Sequence, residues 1–242
     1  MNSRRKFLLQ GGMATTALLA AKPFKAIAGA GSPITGFGNN DNSVIFLHTA
    51  DLNNSNHQKL ISHIADLKRS SGNVVLLNAG NNVAGSAAAL NFDASVNHSN
   101  AVSATANNYR IIYKGKIKIG VISITTGESF SNINTQASFL KKEKNCHLVV
   151  CLSQLGYKNK NAIDDLNLAA LSANLDIIIG GDTKNSSKNP VVVLDQNNAE
   201  VIIDHAADAT LALGKIEIAF DDKGQKKNIA FNEAAGKIKL TA

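Results

Sequence analysis

Four apolar runs in this 242-residue chain end in polar side chains that could hold a cation or a phosphate. Asp51 and Asn53 follow the first run, Asn81 and Asn82 the second, Ser153 and Gln154 the third, Asp182 and Lys184 the fourth. Residues just past the carboxyl ends of strands in an open α/β sheet converge on one crevice, so these groups would share a site. Each group alone also reads as an ordinary loop, because Asn, Asp and Gln suit turns. Four of them on successive strands point instead to a site, or to the relic of one. Asp51, Asn53, Asn81, Asn97, Gln154 and Asp182 are all oxygen donors, a set suited to one hard ion such as calcium or magnesium. Only Asp51 and Asp182 carry charge, so such binding would be weak. Lys184 argues the other way: its ammonium repels a metal ion and could pair with Asp51 or Asp182.

The elements that must position these residues are legible as hydrophobic patterns. "SVIFLHT" (43–49), "NVVLLNAG" (73–80), "HLVVCLS" (147–153) and "LDIIIGG" (175–181) are continuous apolar runs of strand length. Leu60, Ile61, Ile64 and Leu67 recur at helical spacing and predict a helix over 56–70. Further helices are expected over 132–144 and 161–173. Residues 109–125 predict a hairpin turning at Lys114-Gly115. "PVVVLD", "AEVIIDH" and "LGKIEIAF" then follow as strands separated by turns such as Asn197-Asn198. Strand–helix alternation followed by consecutive strands predicts a layered α/β sandwich with mixed sheets. Cys146 and Cys151 are the only cysteines. They lie across a predicted strand at odd spacing, which puts them on opposite faces and unbridged. Two thiols without clustered histidines make no zinc site.

The N-terminus reads separately. "SRRKFLL" sets paired arginines before Phe7 and Leu8, a mild apolar run follows, and "AIAGAG" offers a small-residue cleavage site. Residues 1–30 therefore look like a twin-arginine export signal, which implies a periplasmic or extracellular protein. Residues 31–42 read as a linker, 43–222 as the folded domain and 223–242 as a short C-terminal tail. The signal holds five of the 25 basic residues and no acid, leaving 20 basic against 18 acidic residues in the mature chain. The formal charge of +7 thus resides largely in the signal and gives no support to nucleic-acid binding. No apolar run reaches the roughly 20 residues of a bilayer span, so no membrane anchor is expected in the mature form.

The ordered blocks "VIFLHTADLNNS", "NVVLLNAGNNVAGS", "YKGKIKIGVISITT", "HLVVCLSQLGYK" and "LDIIIGGDTKN" resemble those of the calcineurin-like metallophosphoesterases, above all the N-terminal domain of secreted 5'-nucleotidases. The resemblance implies a four-layer α/β/β/α sandwich with two mixed sheets. It also implies a pair of divalent ions (Zn, Mn, Mg or Fe) that clamp a phosphate and activate a water. Carried over residue by residue, it is mostly a record of losses. Where the family has Asp-x-His, this chain keeps Asp51 but has Asn53. The bridging Asp of Gly-Asp is Asn81, a neutral amide and a poor bridge between two dications. "FDASVNHSN" resembles the Gly-Asn-His motif, with Asn97 as ligand and His98 as the phosphate-facing acid, although His98 equally reads as a surface histidine. Ser-His-Leu-Gly has become Ser153-Gln154-Leu155-Gly156, and both histidines of Gly-Gly-His-x-His have become Asp182 and Lys184. Of the family's ligands, Asp51 and Asn97 remain.

With every histidine ligand gone, no zinc-type cofactor is expected, and a single weak calcium or magnesium is the alternative. The resemblance therefore implies a degenerate member: a catalytically silent binding or scaffold module, an altered metal-dependent hydrolase leaning on Asp51, Asn97 and His98, or a decaying paralogue. Family members grip the nucleoside with aromatic residues of a C-terminal domain. This sequence has no Trp and only the short tail, so a separately encoded domain of that type is the expected partner.

Overall fold

The computed structural model describes residues 26–27, 42–50, 57–80, 91–96, 109–160, 162–182, 184–187, 189–206 and 213–233. Its strands are β1 (Ala26–Ile27), β2 (Ser43–Thr49), β3 (Val74–Asn78), β4 (Ala94–Ser95), β5 (Tyr109–Lys114), β6 (Ile117–Ile124), β7 (Leu148–Ser153), β8 (Ile177–Gly180), β9 (Val191–Leu194), β10 (Glu200–His205), β11 (Gly214–Phe220) and β12 (Lys226–Glu233). Its helices are α1 (His57–Ser70), α2 (Phe130–Lys142) and α3 (Asp165–Leu171). The strands form two mixed six-stranded sheets, ordered β1-β12-β11-β2-β3-β4 and β5-β6-β7-β8-β10-β9.

Strand alternation explains why the apolar runs are continuous. Val44 and Phe46 of β2 face Val150, Leu152, Ile177 and Ile179 of the second sheet, in a core shared by the two sheets. Ile45 and Leu47 point to the other side and pack with Leu60 and Ile64 of α1. The second sheet does the same: Val149, Cys151 and Ile178 pack outward on Ile133, Leu140 and Leu168 of α2 and α3. Both sheets are thus buried on both faces, which requires strands that are apolar on both faces. The result is the expected α/β/β/α sandwich.

Several details differ from the sequence reading. The expected helix over 161–173 is shorter, because Asp164 caps it: its Oδ1 accepts from Asn167 N at 2.7 Å, the first-turn bond that starts a helix. Cys146 and Cys151 are free and buried, yet both belong to the outer core around α2. Strand β7 begins at Leu148, so alternation does not extend back to Cys146. Residues Lys226–Glu233, within the segment read as a tail, form β12, which pairs with β11 along its length and buries Ile229 and Ala230.

Two polar ties run through this framework. At one end of the sheets, Asp176 is buried and accepts Val149 N at 2.7 Å. The ammonium groups of Lys141 from α2 and Lys226 from β12 lie 2.7 and 2.8 Å from its oxygens. At the other end, His48 Nε2 on β2 lies 3.0 Å from Asp204 Oδ2 on β10, joining the two sheets. One residue further along β10, the side chain turns outward: His205 Nε2 lies 3.0 Å from Asp165 Oδ2, and Asp165 Oδ1 accepts the Ser153 hydroxyl. His205 and Asp165 are fully buried. A carboxylate only accepts, so each imidazole presents Nε2–H to its aspartate.

Removing one partner of a buried pair leaves the other desolvated and costs about 3 kcal/mol or more. His205→Ala is therefore expected to lower unfolding stability by about that amount in urea titrations, and a loss near zero would contradict the tie. Asp176 makes a pH-dependent contribution. Burial pushes its carboxyl up, but Lys226 and Lys141 pull harder, and its pKa lies below the ordinary carboxylate value. A carboxyl depressed only in the folded state contributes stability that is whole above about pH 4 and is lost as pH falls through the folded value. Urea titrations from neutral pH into this acid range should show that loss in the wild type and a smaller one in Asp176→Asn. Equal pH slopes would refute it.

Candidate functional site

The two sheets meet at the carboxyl ends of β3, β7 and β8, and the meeting point is the backbone carbonyl of Ala79. Gln154, just past β7, donates Nε2–H to Ala79 O at 3.3 Å. Gly181, just past β8, packs against the same carbonyl: a Cβ there would sit 1.8 Å from Ala79 O, so no other residue fits without moving the strand end. Gly181 N also donates to Ser153 O at 2.7 Å, and Ala79 N to Thr49 O at 3.1 Å. Strand ends from both sheets thus close on one another within a few residues of the expected crevice.

Gln154, and Gly181 next to Asp182, both meet this seam, so the loops that carry Gln154 and Asp182 lie side by side. Gly156 is left-handed at φ +82, and a Cβ on it would stand 3.0 Å from Asp182 Oδ2 and 2.9 Å from Asn185 Nδ2. The loop after β7 therefore lies directly on the loop after β8. Asn185 stitches the two: its carbonyl accepts Tyr157 N at 2.6 Å, and its Nδ2 donates to Lys158 O at 2.7 Å. Asp182 is half-buried, with Oδ1 accepting the backbone N–H of Lys184 at 3.0 Å, and Lys184 is exposed. Of the two ion pairs open to Lys184, the one with Asp182 is replaced among the described residues by this backbone turn, and the one with Asp51 lies outside them. Asp51, Asn53, Asn81, Asn97 and His98 lie outside the described residues; Ala50, Gly80 and Val96, which precede Asp51, Asn81 and Asn97, are buried at the ends of β2, β3 and β4.

Ser153 corrects the expected cluster. Its neighbour Leu152 faces the core between the sheets, so Ser153 faces the helical layer, where its hydroxyl donates to Asp165. It also accepts from Leu155 N at 3.2 Å, and Asp165 N donates to Gly156 O at 2.9 Å. Together with the edge-on contact of Tyr157 with the His205 ring, at 5.7 Å between centroids, this network holds the 153–157 loop from behind. Sequence reasoning missed His48, Asp165, Asp204 and His205. The available signal was charge inside otherwise apolar strands, "FLHT" and "VIIDH", where a buried partner is required.

The described donors do not fit a two-ion phosphoesterase centre. Gln154 is a neutral amide engaged with Ala79, Asp182 is engaged by its own turn, and Lys184 brings a positive charge. Among the described residues, no group of three or more His, Cys, Asp or Glu gathers to hold a metal ion. His48 and His205 are fully buried on aspartates. What the arrangement offers is a rim of amides, one carboxylate and one exposed ammonium over a rigid seam, suited to hydrogen-bonding a polar or anionic partner.

No protein-family model matches the chain. A 102-residue stretch is 28% identical to the trifunctional nucleotide phosphoesterase protein YfkN of Bacillus subtilis, covering 42% of this chain and 6% of that protein. The fold is similar to the 5'-nucleotidase precursor from Thermus thermophilus, with a TM-score of 0.60 and 18% identity, over 80% of this chain and 55% of that one. It is also similar to the NAD nucleotidase NadN of Haemophilus influenzae, with a TM-score of 0.59 and 15% identity, over 78% of this chain and 49% of that one. This chain spans about half the length of those solved nucleotidases. Its two mixed sheets and flanking helices therefore make a metallophosphoesterase-like fold, similar to the N-terminal domains of 5'-nucleotidases.

Proposed function

We propose that this protein is an exported relative of the 5'-nucleotidase type of metallophosphoesterase that has given up hydrolysis and serves as a binding or scaffold module. The observation that carries the reading is the pair Gln154 and Lys184, standing on the two loops that frame the crevice where the resemblance calls for imidazoles. An ammonium a few ångströms from a dication site costs several kcal/mol even at a surface-like dielectric. Asn81 for the bridging aspartate removes the anion that would hold two dications together. The seam at Ala79 and the network behind the 153–157 loop are independent of metal, which explains how a fold of this kind could outlast its chemistry. A separately encoded domain of the nucleotidase C-terminal type is the partner this reading names, and the paired arginines at Arg4 and Arg5 are its support for export.

The test is hydrolysis of a generic aryl phosphate, and of a nucleoside monophosphate, with added manganese, zinc or magnesium. The expected result is no turnover above that of Asp51→Ala under any of the three ions. Turnover that depends on metal and disappears in Asp51→Ala would establish the alternative, a residual hydrolase resting on Asp51, Asn97 and His98.

A further inference from the structure

The pole opposite the crevice gathers lysines from three distant turns. Strands β6, β7 and β8 begin there, and the β5–β6 turn, the end of α2 and the β11–β12 turn all reach it. Their sequences are "KGKIK" (114–118), "KKEK" (141–144) and "KGQKK" (223–227). Contacts show that they form one surface. Lys118 Nζ donates to Lys144 O, and Lys118 N donates to His147 Nδ1 at 3.0 Å. Lys141 Nζ donates to His147 O at 2.8 Å, and the β11–β12 turn lies on the same ring, since a Cβ on Gly224 would stand 2.7 Å from His147 Cδ2. Lys141 and Lys226 share Asp176, which fixes the end of α2 against the β11–β12 turn.

The charge on this surface is unbalanced. Lys114 is matched by Asp93 at 3.5 Å. Beyond that pair the three turns carry eight lysines against Glu143, Asp176, Asp221 and Asp222, a local excess of four. From Ser43 onward the whole chain carries 20 basic and 17 acidic residues, so these three turns hold more than the entire excess, while the β9–β10 turn at the same end adds Asp195 and Glu200. Asp176 is buried beneath its two lysines, and Asp221 is occupied within its turn by the N–H groups of Lys223 and Gln225. Lys116, Lys142, Lys223 and Lys227 are exposed. Beside them Tyr113 is 66% exposed, with Lys118 Nζ 5.6 Å from its ring centroid.

Clustered lysines attract an anionic leaflet, and an amphipathic tyrosine among them is suited to the headgroup level of a bilayer. Among the described residues no helix is long and apolar enough to cross a membrane, so contact through this pole is peripheral and electrostatic. We propose that this pole docks the protein on an anionic lipid surface and leaves the crevice, at the far ends of β7 and β8, facing solvent. The partner is a lipid surface rather than a nucleic acid because the expected export route leads to the envelope.

A lysine footprint on the full chain tests this. The protein is mixed with phosphatidylcholine vesicles with or without phosphatidylglycerol and acetylated with a water-soluble reagent, and each lysine is read by mass spectrometry. The expected result is a several-fold fall in labelling of Lys116, Lys142, Lys223 and Lys227 on the anionic vesicles alone. Lys158, Lys160 and Lys184 at the crevice end should keep their reactivity. Protection should vanish in about 1 M salt, where the screening length is about 3 Å. Protection confined to Lys6, Lys22 and Lys25, protection equal at both poles, none at all, or protection by duplex DNA and not by vesicles would overturn the proposal.

Discussion

The carbonyl of Ala79 is the contact on which the functional end of this molecule depends. Gln154 donates to it from one loop and Gly181 lies against it from the next, so the ends of β3, β7 and β8 cannot separate without breaking all of these contacts. That seam fixes where Asp182 sits, and the left-handed Gly156 then fixes how the 154–157 loop lies over it. Buried aspartate–histidine pairs stand behind the seam, one across the sheets and one against α3. None of the four residues in these pairs stands at a ligand position that the resemblance assigns. The position of the crevice is set by backbone packing and buried hydrogen bonds, and its chemistry is set by exposed side chains on loops. Loops tolerate substitution far better than the scaffold beneath them.

That division explains what could be read in the sequence. Runs such as "VIFL" (44–47) and "LVVCL" (148–152) are apolar at every position because both faces of each sheet are covered, and a doubly buried strand needs no partner to be recognised. The helical spacing around Leu60 and Ile64 is equally plain. The buried pairs are illegible for the opposite reason: His48 and Asp204 are 156 residues apart, and no local pattern links them. Strand β12 escapes notice because "KKNIAFNE" carries polar residues at both ends, around the buried Ile229 and Ala230. Cys146 misleads because alternation cannot be extended past the true start of β7.

At the site, the meeting of the loops after β7 and β8 is legible, since parallel strands must end on the same edge. The roles of the residues on those loops are only half legible. Ser153 reads as part of the crevice and instead serves the helical layer, a difference of one residue in strand parity. Lys184 reads as a partner for Asp182, but two residues apart in a tight loop the carboxylate is better served by a backbone turn, the bond that Asp182 makes.

Under the proposed function, the framework of a phosphoesterase site persists here while its capacity for paired metal ions has gone with a handful of side chains. Calorimetric titration of manganese and zinc tests it most directly. The wild type is compared with a variant carrying Asn53→His, Asn81→Asp, Gln154→His, Asp182→His and Lys184→His. The account predicts no stoichiometric binding by the wild type and recovery of a bound pair of ions in the variant. Tight stoichiometric binding by the wild type, or a folded variant that binds no ion, would contradict it.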